Sequence, residues 1–101
     1  MDEQQRVAAF VEEHGLHADP AYRVLDLESE VGEIAKDAAE STDYGDAPGN
    51  VDVASDEVGD ALFALLALAD SLEVDAAAAL DEALAKYRDR LGETGSAASG
   101  E

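Results

Sequence analysis

Apolar residues recur three and four positions apart along most of this chain, which is the spacing of one face of an α-helix. Two long segments, 20–39 and 51–72, carry the clearest stripes. Their apolar positions are Val24, Leu27, Val31, Ile34 and Ala38 in the first and Val58, Leu62, Leu65, Leu66 and Ala69 in the second. No alternation typical of a β-strand occurs at useful length. The pattern therefore predicts an all-α fold.

Start and stop signals divide the first half of the chain into two helices. The first is predicted from about Asp2 to Glu13, ending near Gly15. The second opens with Asp19 as N-cap and Pro20 at the first helical position, and continues to about Ala39. Residues 41–50 contain several helix breakers and are predicted to form a mobile loop.

The second half predicts two further helices. The third begins at Val51 or is capped by Ser55, and it runs to about Leu72. Asp75 is predicted to cap a fourth helix from Ala76 to about Leu91. Residues 1–91 thus form one domain, a bundle of about four helices, and residues 92–101 are predicted to be a disordered tail.

Composition adds an expectation about assembly. The chain has 101 residues, no tryptophan and few aromatic residues, so alanine, leucine and valine supply most of the packing, with Phe10 and Phe63 expected in the core. Small side chains favour close contact between helices, and the predicted apolar helices are too few to enclose a large ligand pocket alone. We therefore expect a homodimer or a homotetramer.

Two absences predict a cytoplasmic protein. There is no basic-then-apolar leader, and the longest apolar run, 61–69, is far shorter than the roughly 20 residues that span a bilayer. The chain also has no cysteine, which excludes disulfides and thiolate metal ligands and is compatible with a reducing compartment.

The formal net charge of −19 argues against nucleic acids and anionic membranes as partners, because both attract lysine and arginine. The acids are spread along the whole chain, as on the surface of a halophilic protein. Molar salt shortens the Debye length to about 3 Å and so relieves the repulsion among these charges.

One acidic phrase occurs almost twice. Glu30-Val31-Gly32-Glu33 lies in the second predicted helix, and Glu57-Val58-Gly59-Asp60 lies in the third. In each phrase the two carboxylates share a helical face, and the interior glycine costs about 1 kcal/mol relative to alanine. Oxygen ligands in this number suit a hard cation such as Mg²⁺. Spacing alone leaves a solvated acidic surface equally open.

The position of the acids beside the apolar stripes bears on that choice. If the second and third helices pack antiparallel, Glu30, Glu33, Glu57 and Asp60 can meet at one level of the bundle. The two glycines would then either let the backbones approach closely or leave room for a ligand.

These residues resemble a known family, the all-α nucleoside triphosphate pyrophosphohydrolases of the MazG type. The resemblance lies in Glu-x-x-Glu, 23 intervening residues and Glu-x-x-Asp, within Leu27–Ile34 and Asp56–Phe63. Residues 74–90 are similar to the family's following helix, so the match covers roughly residues 20–91. One departure is Ser29, which stands where the family usually has another glutamate.

The resemblance implies hydrolysis of a nucleoside triphosphate to the monophosphate and pyrophosphate, as in the removal of unwanted nucleotides. It implies that Glu30, Glu33, Glu57 and Asp60 hold Mg²⁺, with Mn²⁺ as an alternative, and act in catalysis. Because Ser29 replaces an acid often given a supporting role, the general base is open, with Glu28 and Asp56 as candidates.

Basic residues near the signatures are candidates for binding the substrate phosphates. They are Lys36, Lys86 and Arg90. For the last two the competing explanation is that cations near a helix C-terminus interact favourably with its dipole. His14 and His17 are interpreted as exposed loop histidines, and Tyr44 either closes over a substrate or has no such role.

Two other functions compete with the first. One is phosphoribosyl-ATP pyrophosphohydrolase, an enzyme of the same architecture, although Gly59 and Leu62-Phe63-Ala64 fit the MazG-like signature better. The other is a helical interaction module without catalysis, which Ser29 keeps open.

Overall fold

The computed structural model describes residues 2–94, and these form four α-helices and one short 3₁₀-helix. The α-helices are α1 (Asp2–His14), α2 (Pro20–Ser41), α3 (Ser55–Ser71) and α4 (Ala76–Thr94), and the 3₁₀-helix is Pro48–Asn50. No strand occurs within these residues. The predicted all-α fold is therefore confirmed, with each helix close to its expected place.

Helix α3 is the centre of the fold. Both α2 and α1 pack against it, whereas α4 makes only sparse contacts with the other helices. The buried apolar residues are correspondingly few and lie mostly on α3: Val11, Ala64, Leu66, Ala67 and Ala69. Leu66 is the most deeply buried, with 2% of its surface exposed.

The predicted apolar stripes are only partly covered within one chain. Val31 and Val58 remain 50% and 55% exposed, and Leu65 is 48% exposed. Phe10, expected in the core, is 48% exposed, so that prediction is wrong for the single chain. Its ring instead packs edge-on against the half-buried Phe63, with 5.9 Å between centroids. Small alanines on α3 leave too shallow a core to cover a phenylalanine on α1.

The caps of the helices differ from one another. Asp75 caps α4 as predicted, since its Oδ1 accepts hydrogen bonds from the backbone N–H groups of Ala77 (3.0 Å) and Ala78 (3.3 Å). Asp19 occupies the N-cap position of α2, but its side chain makes no capping bond. Helix α3 begins at Ser55 itself after an extended Ala54, so a start at Val51 and a cap by Ser55 are both wrong.

The connection between α2 and α3 is more regular than the predicted mobile loop. Backbone hydrogen bonds join Tyr44 N–H to the Ala39 carbonyl (2.7 Å) and Ala47 N–H to the Thr42 carbonyl (2.8 Å). The buried Thr42 hydroxyl also donates to the Ala38 carbonyl at 2.7 Å. Tyr44 has a φ of 55° and is 78% exposed, so it lies at the surface of this turn.

A side-chain amide joins α1 to the connection between α3 and α4. Gln4 on α1 donates from Nε2 to the Val74 carbonyl (2.7 Å), and its Oε1 accepts from the Ala76 N–H (2.8 Å). These two bonds attach the corner between α3 and α4 to α1.

The fourth helix ends later than predicted. It continues through Gly92 to Thr94, because Gly92 does not adopt the positive φ that often ends a helix. Residues 92–94 therefore do not belong to a disordered tail, and 95–101 lie outside the described residues. No helix between residues 2 and 94 is long and apolar enough to cross a membrane.

Candidate metal centre

Charged residues follow one face of α2. Arg23, Asp26, Glu30, Glu33 and Asp37 are spaced three or four positions apart, which places them in one line along the helix. The line faces α3, because three of its members share a cavity with α3 residues and the last two interact electrostatically with Glu57. We call the contact between this line and α3 the α2–α3 seam.

The two helices run antiparallel along the seam. Arg23, near the start of α2, shares a cavity with Phe63 and Ala64 in the middle of α3. Asp37, near the end of α2, lies close enough to Glu57 at the start of α3 to influence its ionisation. Later positions on α2 thus meet earlier positions on α3, which is the arrangement that a meeting of the two acidic phrases requires.

The four predicted ligands are brought to the seam at two neighbouring levels. Glu30 and Asp60 line a cavity of about 410 Å³, together with Arg23 and Asp26. Glu33 and Asp60 both lie near Glu57 one level along. Glu30 and Glu57 are half-buried, whereas Glu33 and Asp60 are exposed. The side chains of the two signatures therefore lie on one surface, but they are spread over two levels along the helix axes.

Glu57 is the carboxylate most affected by this arrangement. Burial raises its pKa above the ordinary value of 4.5, and the charges of Asp37, Glu33, Asp56 and Asp60 raise it further. Its Oε2 atom is buried and has no hydrogen-bond partner among the described residues. An acid in this position is stabilised by a proton or by a cation.

The donor chemistry of the seam fits a hard divalent cation. All four predicted ligands offer carboxylate oxygens, which suit Mg²⁺ and Mn²⁺, and Glu57 Oε2 is an orphaned buried acceptor. As the side chains stand, no group of three or more His, Asp or Glu residues within 2–94 is arranged to hold a metal ion.

Arg23 is a functional candidate that sequence reasoning missed. It is 8% exposed, its Nη2 donates to the Leu16 carbonyl, and its buried Nε has no hydrogen-bond partner in the described part of the chain. A buried guanidinium thus lines a cavity whose other charged groups are Asp26, Glu30 and Asp60. The available signal was spacing, because Arg23 lies two turns before Glu30 on the same helical face.

Asp37 was also missed. It is half-buried, and its charge has the largest effect among the carboxylates that raise the pKa of Glu57. The signal was again periodic, since Asp37 follows Glu33 by four residues. Of the two base candidates considered from the sequence, Glu28 is exposed on α2, and Asp56 is exposed beside Glu57 on α3.

The predicted phosphate-binding cations do not line the seam cavity in a single chain. Lys36 is exposed on α2, and Lys86 is exposed on α4 with its Nζ 5.6 Å from the Tyr87 ring centroid. Arg90 is half-buried on α4. Because α4 packs sparsely, a phosphate-binding role for these residues stays a prediction.

The two glycines of the acidic phrases do not serve close helix packing. A Cβ atom added at Gly32 or at Gly59 would meet no heavy atom within 4 Å. The close approach considered from the sequence is therefore wrong. Room for a ligand remains at Gly59, which lines a separate cavity between α1 and α3.

The two histidines have local partners. His17 Nε2 lies 2.8 Å from Glu12 Oε2, and both side chains are exposed. The ring of His14 packs on Phe10, with centroids 4.4 Å apart. Both histidines are exposed, as interpreted, but His14 is the last residue of α1 and only His17 lies in the loop that follows.

Comparison of the chain with protein-family models, with curated proteins and with solved structures found no match.

Proposed function

We propose that this protein is a Mg²⁺-dependent nucleoside triphosphate pyrophosphohydrolase of the MazG-like type. The observation that supports it most is the α2–α3 seam, where two glutamate-based signatures face each other on antiparallel helices. The seam adds a buried arginine to these acids, so one cavity offers groups for a cation and for an anion. A metal-complexed triphosphate carries both charges.

Glu30, Glu33, Glu57 and Asp60 would hold the metal in this proposal. Bound Mg²⁺, or Mn²⁺ in its place, supplies positive charge that polarises phosphate oxygens. Arg23, which lines the same cavity, contributes a second positive charge and would bind a phosphate oxygen. These charges offset the strong repulsion between a triphosphate and a chain of net charge −19.

Hydrolysis adds water across the α–β anhydride and releases the nucleoside monophosphate and pyrophosphate. A carboxylate must accept a proton from this water, and Ser29 removes one candidate from α2. Asp37 is the replacement that we propose, because it is the half-buried acid that most affects Glu57. An Asp37→Asn variant should lower kcat and leave KM nearly unchanged.

A second copy of the chain completes this proposal, as a homodimer or a homotetramer. Leucines on α3 and α4 remain about half exposed around an apolar groove of about 430 Å³, and α4 lacks extensive partners. Sedimentation equilibrium in molar KCl tests the assembly, and a monomer at micromolar concentration would contradict it.

The decisive experiment measures pyrophosphate release from a panel of canonical and modified nucleoside triphosphates, in molar KCl with and without Mg²⁺. We expect Mg²⁺-dependent release from at least one of them. If a folded protein releases none, phosphoribosyl-ATP is the next substrate to test. Failure with that substrate would overturn the enzymatic proposal in favour of the interaction module, whose uncovered apolar surface would then be the feature to explain.

A further inference from the structure

A second cavity, of about 480 Å³, lies between α1 and α3 and is not used by the function proposed above. Its walls are mostly apolar side chains, with two charged groups from α1. The residues that matter to its chemistry are Glu3, Arg6, Phe10, Gly59, Leu62 and Phe63. We call it the α1–α3 cavity.

The α1–α3 cavity is next to the candidate metal centre. Phe63 lines both this cavity and the one at the α2–α3 seam. Gly59 immediately precedes Asp60, one of the proposed ligands, and contributes backbone to the cavity wall. A ligand held at the seam can therefore extend into the α1–α3 cavity without leaving the protein surface.

Two phenylalanine rings give this cavity its shape. Phe10 and Phe63 meet at 89°, with 5.9 Å between centroids. The His14 ring also packs on Phe10, with centroids 4.4 Å apart, and Phe10 still keeps about half of its surface exposed. Exposed aromatic faces stack on nucleobases whatever the base, because every base has a π-face. An aromatic ring that the core leaves half uncovered beside a phosphate site is therefore suited to a flat heterocycle.

Gly59 leaves the wall of the α1–α3 cavity open. A glycine inside a helix lowers its stability, so it usually has a packing or functional reason. Helix packing does not supply the reason here, because a Cβ at this position would meet no atom within 4 Å. The Cβ would enter open space at the wall of the cavity instead. The absence of a side chain keeps the cavity wide beside Asp60.

Glu3 and Arg6 supply polar groups at the same cavity. They lie one turn apart on α1, so a carboxylate acceptor and a guanidinium donor face it together. Base edges present donors and acceptors side by side, and a bidentate arginine is a common partner for adjacent acceptors.

We propose that the α1–α3 cavity binds the nucleobase of the nucleotide whose phosphates are bound at the α2–α3 seam. This inference rests on the proposed function. It assigns Phe10 and Phe63 to stacking, Gly59 to keeping the space open, and Glu3 with Arg6 to the edge of the base.

The test fills the cavity without disturbing the phosphate site. Gly59→Leu places a side chain in the open space, and Gly32→Leu is the matched control, since it makes the same change inside α2 where a Cβ also meets nothing. Titration calorimetry with Mg²⁺ compares nucleoside triphosphates, kept intact by the Glu57→Gln background, with inorganic tripolyphosphate, which has no base. Gly59→Leu should weaken nucleotide binding at least tenfold and leave tripolyphosphate binding unchanged, and Gly32→Leu should change neither.

A second variant and a second readout keep the outcomes separate. Phe10→Leu retains an apolar side chain but removes a ring, and it should weaken nucleotide binding and leave tripolyphosphate binding unchanged. This variant tests the proposal even if Gly59→Leu fails to fold. In the wild-type chain, nucleosides without phosphate should shift the ring-proton resonances of Phe10 and Phe63.

Equal nucleotide affinity in Gly59→Leu, Phe10→Leu and the parent would overturn the base site. Pyrophosphate release by the wild type would still support the proposed function. Ring-proton shifts by nucleosides in a protein that hydrolyses no triphosphate would leave the base site standing and remove the enzymatic proposal.

Discussion

The two sides of α3 have opposite effects on the stability of the fold. Toward α2 the helix presents Glu57 and Asp60 to a line of charges, and one carboxyl oxygen there is buried without a hydrogen-bond partner. Toward α1 and α4 it presents leucines, including the most deeply buried residue, Leu66. Repulsion among the acids of the seam therefore lowers the stability of the fold. Burial of the apolar side of α3 offsets this loss. A candidate site and a core can share one helix because an α-helix has separate faces.

Removing one charge from the seam gives the largest expected effect. Glu57→Gln should lower the rate of pyrophosphate release by about 1,000-fold, since a metal ion contributes several kcal/mol to the stabilisation of a transition state. The same variant should melt at a higher temperature than the wild type at pH 7 without Mg²⁺, because repulsion with Asp37 and Glu33 is lost.

Steady-state kinetics and calorimetry measure the two halves of this prediction. Asp70→Asn is the matched control, since Asp70 is an exposed acid on the same helix. A Glu57→Gln protein that is both active and less stable would contradict the division of α3 into two sides.

Truncation on the apolar side should act in the opposite direction. Leu66→Ala should destabilise the fold by about 2–5 kcal/mol, because it leaves a cavity at the most buried position. Urea denaturation measures the loss, and activity per folded molecule should be retained at low urea. A loss below about 1 kcal/mol would show that α1 and α4 do not depend on this contact.

Arg23 sharpens the comparison because it is a buried stabilising charge within the seam. Arg23→Met should raise KM for triphosphates about tenfold and destabilise the fold by about 1–3 kcal/mol, since it leaves the Leu16 carbonyl without its donor. Arg23→Lys keeps the charge and should recover part of the affinity.

A structural role alone predicts a different pattern for Arg23. Stability would fall as stated, but KM measured on the remaining folded protein would equal that of the wild type. Kinetics at a temperature where both variants are fully folded distinguish the two cases.

The smallest expected effect is a pH dependence. The pKa of Glu57 is raised in the folded state, so below about 4.5 the group is protonated in both folded and unfolded chains. As the pH rises above that value the unfolded chain loses the proton first, and the free energy of unfolding falls until the pH exceeds the folded-state pKa.

Urea titrations at a series of pH values should show this as a difference between variants. The stability of Glu57→Gln relative to the wild type should grow as the pH increases from about 4.5 and then become constant. A difference that does not vary with pH would contradict the raised pKa. Molar KCl should reduce the difference, because salt screens exposed charges.

The parts of the fold that depend on local periodicity could be predicted from the sequence. Apolar stripes identified α2 and α3, start and stop signals identified α1 and α4, and Asp75 marked the start of α4 correctly. Proline at the first position of α2 was also a correct signal. These features arise from interactions within a few residues, so a single sequence contains them.

The parts that depend on distant partners could not be predicted. Phe10 lies on an apolar stripe, but its exposure depends on how much of α1 the alanines of α3 cover. Arg23 would usually be solvated, and its burial follows from the Leu16 carbonyl and the facing helix. The acidic phrases indicated two helix faces that could meet, whereas Asp37, the carboxylate that most affects Glu57, became visible only in the folded chain.

The hydrogen bond to the Gln4 side chain makes the backbone N–H of Ala76 a reporter of whether α1 is docked. Ala76 is the first residue of α4, where a backbone N–H has no partner within the helix, and here it donates to Gln4 Oε1 instead. Its exchange with deuterated solvent should therefore be slow only while α1 is docked. The exchange rate of the Ala76 amide, 72 residues from Gln4 in sequence, would thus measure how often α1 detaches from the connection between α3 and α4.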